Sequence, residues 1–327
     1  MITPGEQLER LCDEGRQAIL LVAPFIKAAA LARLLSHMHP DITLSCVTRW
    51  RPEEIAAGVS DLEIWPIIRA RPRSSLWLSS ALHAKYYRAD ERCLVGSANL
   101  TGAALGWSAQ PNLELLVNLP ANAPQCVGFE GELWSTTVAV DDDLHGLMAE
   151  AVEAIKVDLP PLIITDAREP YVVALPSPAA PHSAWLPTLR HPDDLFLAYS
   201  GRSAELSTTS AENARADLLA LNVTLGLSKD AFTRNVGVVL LQRPIVRHID
   251  RFLSHPQRFG AVRDELAHLP CAASPDFDPT RVWQTLMRWL FHFLPTRYTR
   301  LPSHHSEVVT RVFRDPLYHP EKIPRKE

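Results

Sequence analysis

The spacing of apolar residues alternates between two periods over the first half of the chain. Continuous apolar runs at 18–23 and 42–47 are typical of strands buried on both faces. Shorter runs predict further strands at 62–65, 76–78, 93–95 and 115–117. Between them, apolar residues recur at helical spacing in segments 6–15, 27–37, 53–58, 125–135 and 141–156. This alternation predicts an α/β sandwich with a mixed sheet.

The pattern changes after residue 185, where helical spacing dominates. The segments with this spacing are 211–221, 229–241, 244–253, 257–266 and 279–293. Residues 176–184 are rich in proline and form the best candidate for a linker. We therefore predict an α/β domain at 1–175 and a mainly α-helical C-terminal domain at 185–327.

Composition limits the class of protein. The 327 residues are enough for two hydrophobic cores, and a net charge of −4 gives no global basic field that would indicate nucleic-acid binding. The five cysteines lack metal-site spacing, which favours a reducing compartment. No signal peptide and no run of membrane-spanning length is recognisable. We expect a cytoplasmic protein that does not associate with a membrane.

The most specific stretch of the sequence combines four kinds of polar side chain. His83 and Lys85 are two residues apart, so a strand would place both on one face. The apolar run at 93–95 then leads into Gly96-Ser97-Ala98-Asn99, whose small residues let a ligand approach the backbone. An imidazole, an ammonium, a hydroxyl and a carboxamide at one sheet edge would suit a phosphate, with one nucleophile and several donors to its oxygens.

This stretch resembles the HKD signature of the phospholipase D superfamily, in which His-x-Lys, an Asp and Gly-Ser-x-Asn follow in order. The matching positions are His83, Lys85, Asp90, Gly96, Ser97 and Asn99. Only five residues separate Asp90 from Gly96, one fewer than is usual in the family, which we interpret as a shorter hairpin loop. Glu114 lies where the family often has a further active-site carboxylate. The resemblance covers about residues 15–120.

The resemblance implies a role for each matching residue. His83 would attack phosphorus and form a phosphohistidine, while Lys85 and Asn99 hold the non-bridging oxygens with help from Ser97. Glu114 would orient a histidine. Asp90 belongs to the catalytic motif, but its place in a hairpin turn favours a structural role. No metal or other cofactor is expected, because histidine supplies the nucleophile.

A single motif also implies an assembly. The family chemistry needs a second histidine to protonate the leaving oxygen, and single-motif members are typically homodimers. We therefore expect two copies of His83 to meet across a two-fold axis.

Three functions are compatible with this resemblance. Single-motif bacterial members with an added domain resemble nucleases, so we expect a DNA endonuclease acting in phage defence. The helical half would then bind DNA, regulate the site or dock a partner such as a helicase or another defence-system protein. The alternatives are a phospholipase or phosphatidyltransferase acting on lipid, and an assembly subunit without catalytic activity.

Several residues outside the motif are candidates for substrate binding. Arg69, Arg71 and Arg73 precede the His-Lys strand and could contact a nucleic-acid backbone, or could lie in a solvated loop. Trp50 follows the second strand and could stack on a base, or could be a packing residue. The helix at 244–253 raises a similar choice for a row of arginines at intervals of four, which could track phosphates or be paired with acids: Arg243, Arg247 and Arg251.

Overall fold

The computed structural model describes residues 2–158, 184–273, 277–301 and 307–312. Its centre is a seven-stranded mixed sheet with the strand order β6-β5-β4-β1-β2-β3-β7. The strands are β1 Ala18–Val22, β2 Thr43–Thr48, β3 Ser74–Leu78, β4 Lys85–Ala89, β5 Arg92–Gly96, β6 Leu116–Pro120 and β7 Val138–Ala139. β1, β2 and β3 are parallel, and the remaining pairs are antiparallel.

Helices cover both faces of this sheet. They are α1 Pro4–Glu14, α2 Ala28–Leu35, α3 Pro52–Ala56, α4 Ile64–Ala70, α5 Pro124–Thr136 and α6 Asp142–Asp158. Ile19 and Leu21 of β1 point into the core with α1, α2 and α6, whereas Leu20 and Val22 point into a second core with α5. Because successive strand residues face opposite sides, the continuous apolar run of β1 fills both cores. The predicted α/β sandwich with a mixed sheet is confirmed.

One predicted strand is wrong. Residues 62–65 were expected to be extended, but Ile64 begins α4. The buried residues of this helix are Ile64 and Ile68, which are four apart and therefore share one helical face. A run of four apolar residues cannot distinguish the two periods, and the residues beyond Trp65 decide for the helix.

The C-terminal part is mainly helical, as expected. Its helices are α7 Asp193–Tyr199, α8 Thr208–Leu221, α9 Lys229–Leu241, α10 Pro244–Phe252, α11 Phe259–Ala267 and α12 Pro279–Phe293. A small antiparallel sheet, which the sequence did not predict, has the order β8-β10-β9, with β8 Gln257–Arg258, β9 Tyr298–Leu301 and β10 Val308–Arg311. We call residues 184–312 the helical region. The proposed linker at 176–184 lies outside the described residues except for Ala184.

A buried charge network lies within the helical region and reaches α6. Asp250 is fully buried and accepts hydrogen bonds from Arg247 (2.9 Å), Arg297 (2.7 and 2.9 Å) and Tyr298 (2.7 Å). Arg247 also pairs with Asp141, which directly precedes α6. Arg247 is thus paired with acids, as the second alternative predicted, although it is buried and not solvated, and its charge joins the helical region to the α/β part.

None of the helices in the described residues is both long and apolar enough to cross a membrane.

Candidate functional site

The His-Lys motif lies at the carboxyl-terminal edge of the parallel strands. β4 runs antiparallel to β1 and pairs Tyr86 with Val22, so Lys85 stands beside the point where β1 ends. Lys85 is buried and begins β4, while His83 is exposed in the preceding loop. This edge is where open α/β sheets place their ligands.

The hairpin between β4 and β5 brings the two halves of the motif together. Lys85 pairs with Gly96 in its register, and Ala89 pairs with Arg92, so only Asp90 and Glu91 form the turn. Asp90 has a positive φ of 50°, which such a tight turn requires. The shorter spacing between Asp90 and Gly96 is therefore absorbed by a two-residue turn that keeps Lys85 opposite Gly96.

Gly96 is required by a close backbone approach. A Cβ at this position would lie 1.9 Å from the carbonyl oxygen of Leu115, at the start of the neighbouring strand β6. Without a side chain, β5 and β6 can pair at Gly96 and Leu116. This pairing brings the segment that carries Glu114 beside Ser97.

Ser97 and Glu114 form a direct hydrogen bond, in which the hydroxyl of Ser97 donates to Oε2 of Glu114. The hydroxyl oxygen also accepts from the amide of Leu115 (3.1 Å), and the amide of Ser97 donates to the Leu115 carbonyl (3.0 Å). Nδ2 of Asn112 donates to Oε1 of Glu114 (3.2 Å). Within this chain, Glu114 therefore positions Ser97, and its expected contact with a histidine is not among these bonds.

Asn99 lies in a loop that is fixed from two sides. The next residue, Leu100, donates its amide to the carbonyl of Phe25 (3.1 Å) and accepts from the amide of Lys27 (2.9 Å). On the other side, the hydroxyl of Tyr87 donates to the carbonyl of Ala98 (2.6 Å). Asn99 itself is buried. The backbone on both sides of Asn99 is thus fixed by hydrogen bonds to neighbouring segments.

Tyr87 is a site residue that the sequence reasoning missed. It is fully buried, and it follows Lys85 at the period of two that places both on one face. Burial raises the pKa of the Tyr87 hydroxyl well above its usual value, and the charge of Glu114 raises it further. The hydroxyl therefore stays protonated as the donor to Ala98.

Two arginines after β2 hold the loop that carries His83, and neither was assigned a role. Arg49 donates to the carbonyl of Leu82 (3.0 Å) and forms a buried ion pair with Glu54. Arg51 donates to the carbonyl of Ser80 (3.5 Å). Their place at the carboxyl end of a parallel strand is the signal that could have identified them.

Asp90 is not part of the site. Its carboxylate lies at the opposite end of β4, where it accepts hydrogen bonds from the backbone amides of Arg16 (2.7 Å), Gln17 (3.0 Å) and Ala18 (2.9 Å). Partial burial raises its pKa, but these three amides outweigh that effect and lower the pKa below its usual value. The structural role is confirmed, and the inclusion of Asp90 among the catalytic residues is corrected.

The three arginines before β3 are also far from His83. Arg73 lies at the amino end of β3, whereas the loop with His83 follows the carboxyl end, about 16 Å of strand away. Arg69 pairs with Asp142 (2.8 Å), and Arg71 donates to the carbonyls of Ile42 and His39 (both 2.8 Å). The expected contact with substrate at the mouth of the site is therefore wrong for all three, because the strand separates them from it.

Trp50 is a packing residue. Its side chain is fully buried in the larger core, so it cannot stack on a base. Trp50 does follow β2 at the edge of the sheet, as predicted, but its indole points into the core.

No group of three or more histidine, cysteine, aspartate or glutamate side chains within the described ranges could hold a metal ion.

Comparison with known proteins finds similar structures only. No protein-family model matches the chain, nor does any curated protein. NucT from Helicobacter pylori matches with 12% identity over 41% of this chain and 89% of that chain, at a TM-score of 0.32. Nuc from Salmonella typhimurium, described as a phospholipase D family member, matches with 16% identity over 42% of this chain and 90% of that chain, also at a TM-score of 0.32. A phosphatidylserine synthase from Haemophilus influenzae matches with 11% identity over 47% of this chain and 43% of that chain, at a TM-score of 0.35.

Each match covers less than half of this chain.

Proposed function

We propose that this chain is a phosphodiesterase of the phospholipase D type that cleaves DNA through His83 without a metal ion. The observation that carries the proposal is the exposed His83 at the carboxyl edge of the sheet, beside a buried lysine that is paired in register with Gly96. Such a site offers a nucleophile to solvent and keeps a cation fixed behind it.

The chemistry proceeds in two displacements. A ring nitrogen of His83 attacks phosphorus, a P–N bond forms, and the bond to the leaving oxygen breaks. Lys85 and Asn99 stabilise the charge on the non-bridging oxygens, and Ser97, positioned by Glu114, assists them. Water then attacks the phosphohistidine, which releases the phosphate ester and restores the imidazole.

A second histidine must protonate the leaving oxygen and later activate the water, and we assign it to a second copy of the chain. The edge strand beside the site supports this assignment. The side chains of Leu113 and Leu115, in the segment that leads into β6, are 101% and 67% exposed, and Val117 on the outer strand β6 itself is 48% exposed. An apolar, unpaired edge of this kind favours association.

The same apolar edge favours one alternative substrate. Exposed leucines beside a phosphodiesterase site would also suit a lipid, which keeps a phospholipase or phosphatidyltransferase as the second candidate. An assembly subunit without turnover is the third, and the intact set of His83, Lys85, Ser97 and Asn99 argues against it.

For the leading candidate, we assign the helical region to DNA binding, regulation or docking of a helicase or other partner in phage defence. The ion pair between the buried Arg247 and the partly exposed Asp141 supports a fixed relation between this region and the catalytic part.

The test is a cleavage assay on single-stranded and double-stranded DNA in EDTA, with anionic phospholipid vesicles in a parallel assay. Wild type, His83→Ala and the control His39→Ala are compared. His39 is exposed and belongs to the loop held by Arg71 at the other end of the sheet, so its loss should leave cleavage unchanged. Cleavage of DNA by wild type and His39→Ala alone supports the proposal. Turnover of lipid alone selects the second candidate, and full activity of His83→Ala overturns the mechanism.

A further inference from the structure

A cavity of about 240 Å³ lies between the α/β part and the helical region, close to the candidate active site. One wall contains Arg51, Glu53, Ser80 and Ala81, and the opposite wall includes Asn235 of α9 and Arg243. Ala81 is two residues before His83. The cavity therefore adjoins the loop on which the proposed nucleophile is carried.

Two arginines line this cavity, Arg51 from the α/β part and Arg243 from the helical region. Arg51 donates to the carbonyl of Ser80 (3.5 Å), and Arg243, which is buried, donates to the carbonyl of Ala220. Burial lowers the pKa of Arg243 to about 10, and the charge of Arg51 lowers it further in the same direction. Glu53 and Glu54 partly offset the charge of Arg51, and an anion between the two arginines would reduce the repulsion that remains.

The opposite wall holds a donor without an acceptor. Asn235 is 1% exposed, and its Nδ2 has no hydrogen-bond partner among the described residues. Because buried donors are nearly always satisfied, an orphaned amide in a cavity wall indicates a group that completes it. Its place among two guanidinium groups makes an oxygen anion the fitting acceptor.

Glu53 is the acidic side chain in the same lining. Burial raises the pKa of its carboxyl above the usual value, although the charge of Arg51 acts in the opposite direction. A hydrogen bond with the side chain of Thr224 also lowers this pKa. Glu53 is therefore the acidic side chain that an anion in this cavity would meet, and the raised pKa weakens their repulsion.

We propose that this cavity binds the phosphate group of a small ligand, such as inorganic phosphate or a nucleoside monophosphate, and that the bound ligand steadies the loop carrying His83. The fork of a guanidinium matches the geometry of phosphate oxygens. The cavity is too small for a nucleic-acid strand of several nucleotides, which restricts the ligand to this size class. Ligand binding in this cavity does not depend on the proposed phosphodiesterase function. The effect on the loop that carries His83 concerns that function and rests on it.

The test measures binding by isothermal titration calorimetry, with inorganic phosphate and adenosine 5′-monophosphate as separate probes. Five forms of the full chain are compared: wild type, Arg51→Gln, Asn235→Leu, Lys85→Gln and Arg69→Gln. We expect Arg51→Gln and Asn235→Leu to weaken binding about tenfold or more, since each removes a hydrogen bond to an anion. Arg69→Gln is the matched control for loss of a positive charge, and Lys85→Gln removes phosphate binding at the active site.

Asn235→Leu also separates a ligand role from a structural one. Leucine has a similar volume and removes the unsatisfied donor. The melting temperature of Asn235→Leu should therefore be equal to that of wild type or higher. A lower melting temperature with unchanged binding would assign Asn235 to the fold alone and overturn its role here. A higher affinity for the monophosphate identifies a nucleotide ligand, and equal affinities identify phosphate alone.

Hydrogen–deuterium exchange tests the effect on the loop without any activity measurement. Amides in residues 79–84 should exchange more slowly when wild type is saturated with the tighter probe, and should not respond in Arg51→Gln. Absence of binding by wild type, or binding that is lost in Lys85→Gln but kept in Arg51→Gln, overturns the proposed site. Binding without slower exchange overturns the coupling to His83. Neither result depends on whether the protein cleaves DNA.

Discussion

The side-chain amide of Gln242 donates a hydrogen bond to the backbone oxygen of Trp50 over 2.9 Å, and both residues are buried. Gln242 caps α9 of the helical region, while Trp50 lies between Arg49 and Arg51, the two arginines that hold the loop before His83. The helical region therefore braces the segment that positions the proposed nucleophile, although it supplies none of the motif residues.

Gln242→Leu tests this brace. Leucine keeps the volume but leaves the Trp50 oxygen buried without a donor, so the free energy of unfolding should fall by about 1–3 kcal/mol. Equilibrium denaturation in urea measures the loss. Gln110→Leu, at an exposed position, is the control and should change stability by less than about 0.5 kcal/mol. An equal effect of both changes would show that the bond to Trp50 contributes nothing specific.

Gly96→Ala should disrupt the edge of the sheet at the candidate functional site. Its new Cβ would lie 1.9 Å from the Leu115 oxygen, so β6 would have to move away and carry Glu114 from Ser97. We expect a loss of stability of about 1–3 kcal/mol, as for overpacking, together with a loss of cleavage. Gly128→Ala in α5 has open space around it and should stabilise by about 0.5–1 kcal/mol. Thermal unfolding measures the stability of both variants. Equal changes in melting temperature would contradict the close approach at Gly96.

Asp250→Asn should be strongly destabilising, because it leaves Arg247 and Arg297 buried without their common counter-charge. Removal of one partner from a buried ion pair costs about 3–5 kcal/mol. Chemical denaturation at neutral pH gives the magnitude, and the exposed Asp264→Asn serves as the control.

The same variant has a predicted pH dependence. Burial alone would raise the pKa of Asp250, but Arg297, Arg247 and Tyr298 lower it below the usual value. A lowered pKa gives stability that is fully present above the unfolded pKa of about 3.9 and is lost as the pH falls through the lower folded pKa. The difference in melting temperature between wild type and Asp250→Asn should therefore stay constant above about pH 5 and shrink in stronger acid. A difference that grows on acidification would be inconsistent with the lowered pKa.

Asp90 and Glu114 should respond in opposite ways to removal of their charge. Asp90→Asn weakens the bonds to three backbone amides and should lower stability by about 1 kcal/mol without changing kcat. Glu114→Gln weakens the positioning of Ser97 and should lower kcat about tenfold or more at little cost in stability. Steady-state cleavage and urea titration of both variants decide between the roles. If Asp90→Asn had normal stability but no cleavage activity, Asp90 would have a catalytic role after all.

Leu115→Glu tests the proposed second copy. A charge on the exposed edge of the sheet should convert a dimer to a monomer in sedimentation velocity, with a normal circular dichroism spectrum and lost cleavage. Val157→Glu is the control, since Val157 is also exposed but lies on α6. A wild-type monomer that cleaves DNA would exclude the shared site.

Local sequence was sufficient to predict most elements of the α/β part. The segment from Lys85 to Gly96 was correctly predicted as two strands joined by a turn, because the period of a strand and the chemistry of a turn are set within a few residues. The expectation that a strand places His83 on the same face as Lys85 is wrong, since His83 is exposed in the loop before β4 and Lys85 is buried. The continuous apolar run of β1 likewise indicated a central strand, since only a strand covered on both faces has no polar side.

Tertiary structure decided which neighbouring residues in the sequence share a site. Asp90 and Lys85 are five residues apart, yet they lie at opposite ends of β4, and the arginines before β3 are separated from His83 by that strand. The burial of Trp50, the bond between Ser97 and Glu114, and the cavity between Arg51 and Arg243 all depend on contacts across long stretches of chain. Strand register and the packing of the two regions create these contacts, and neither is encoded in a local pattern of apolar and polar residues.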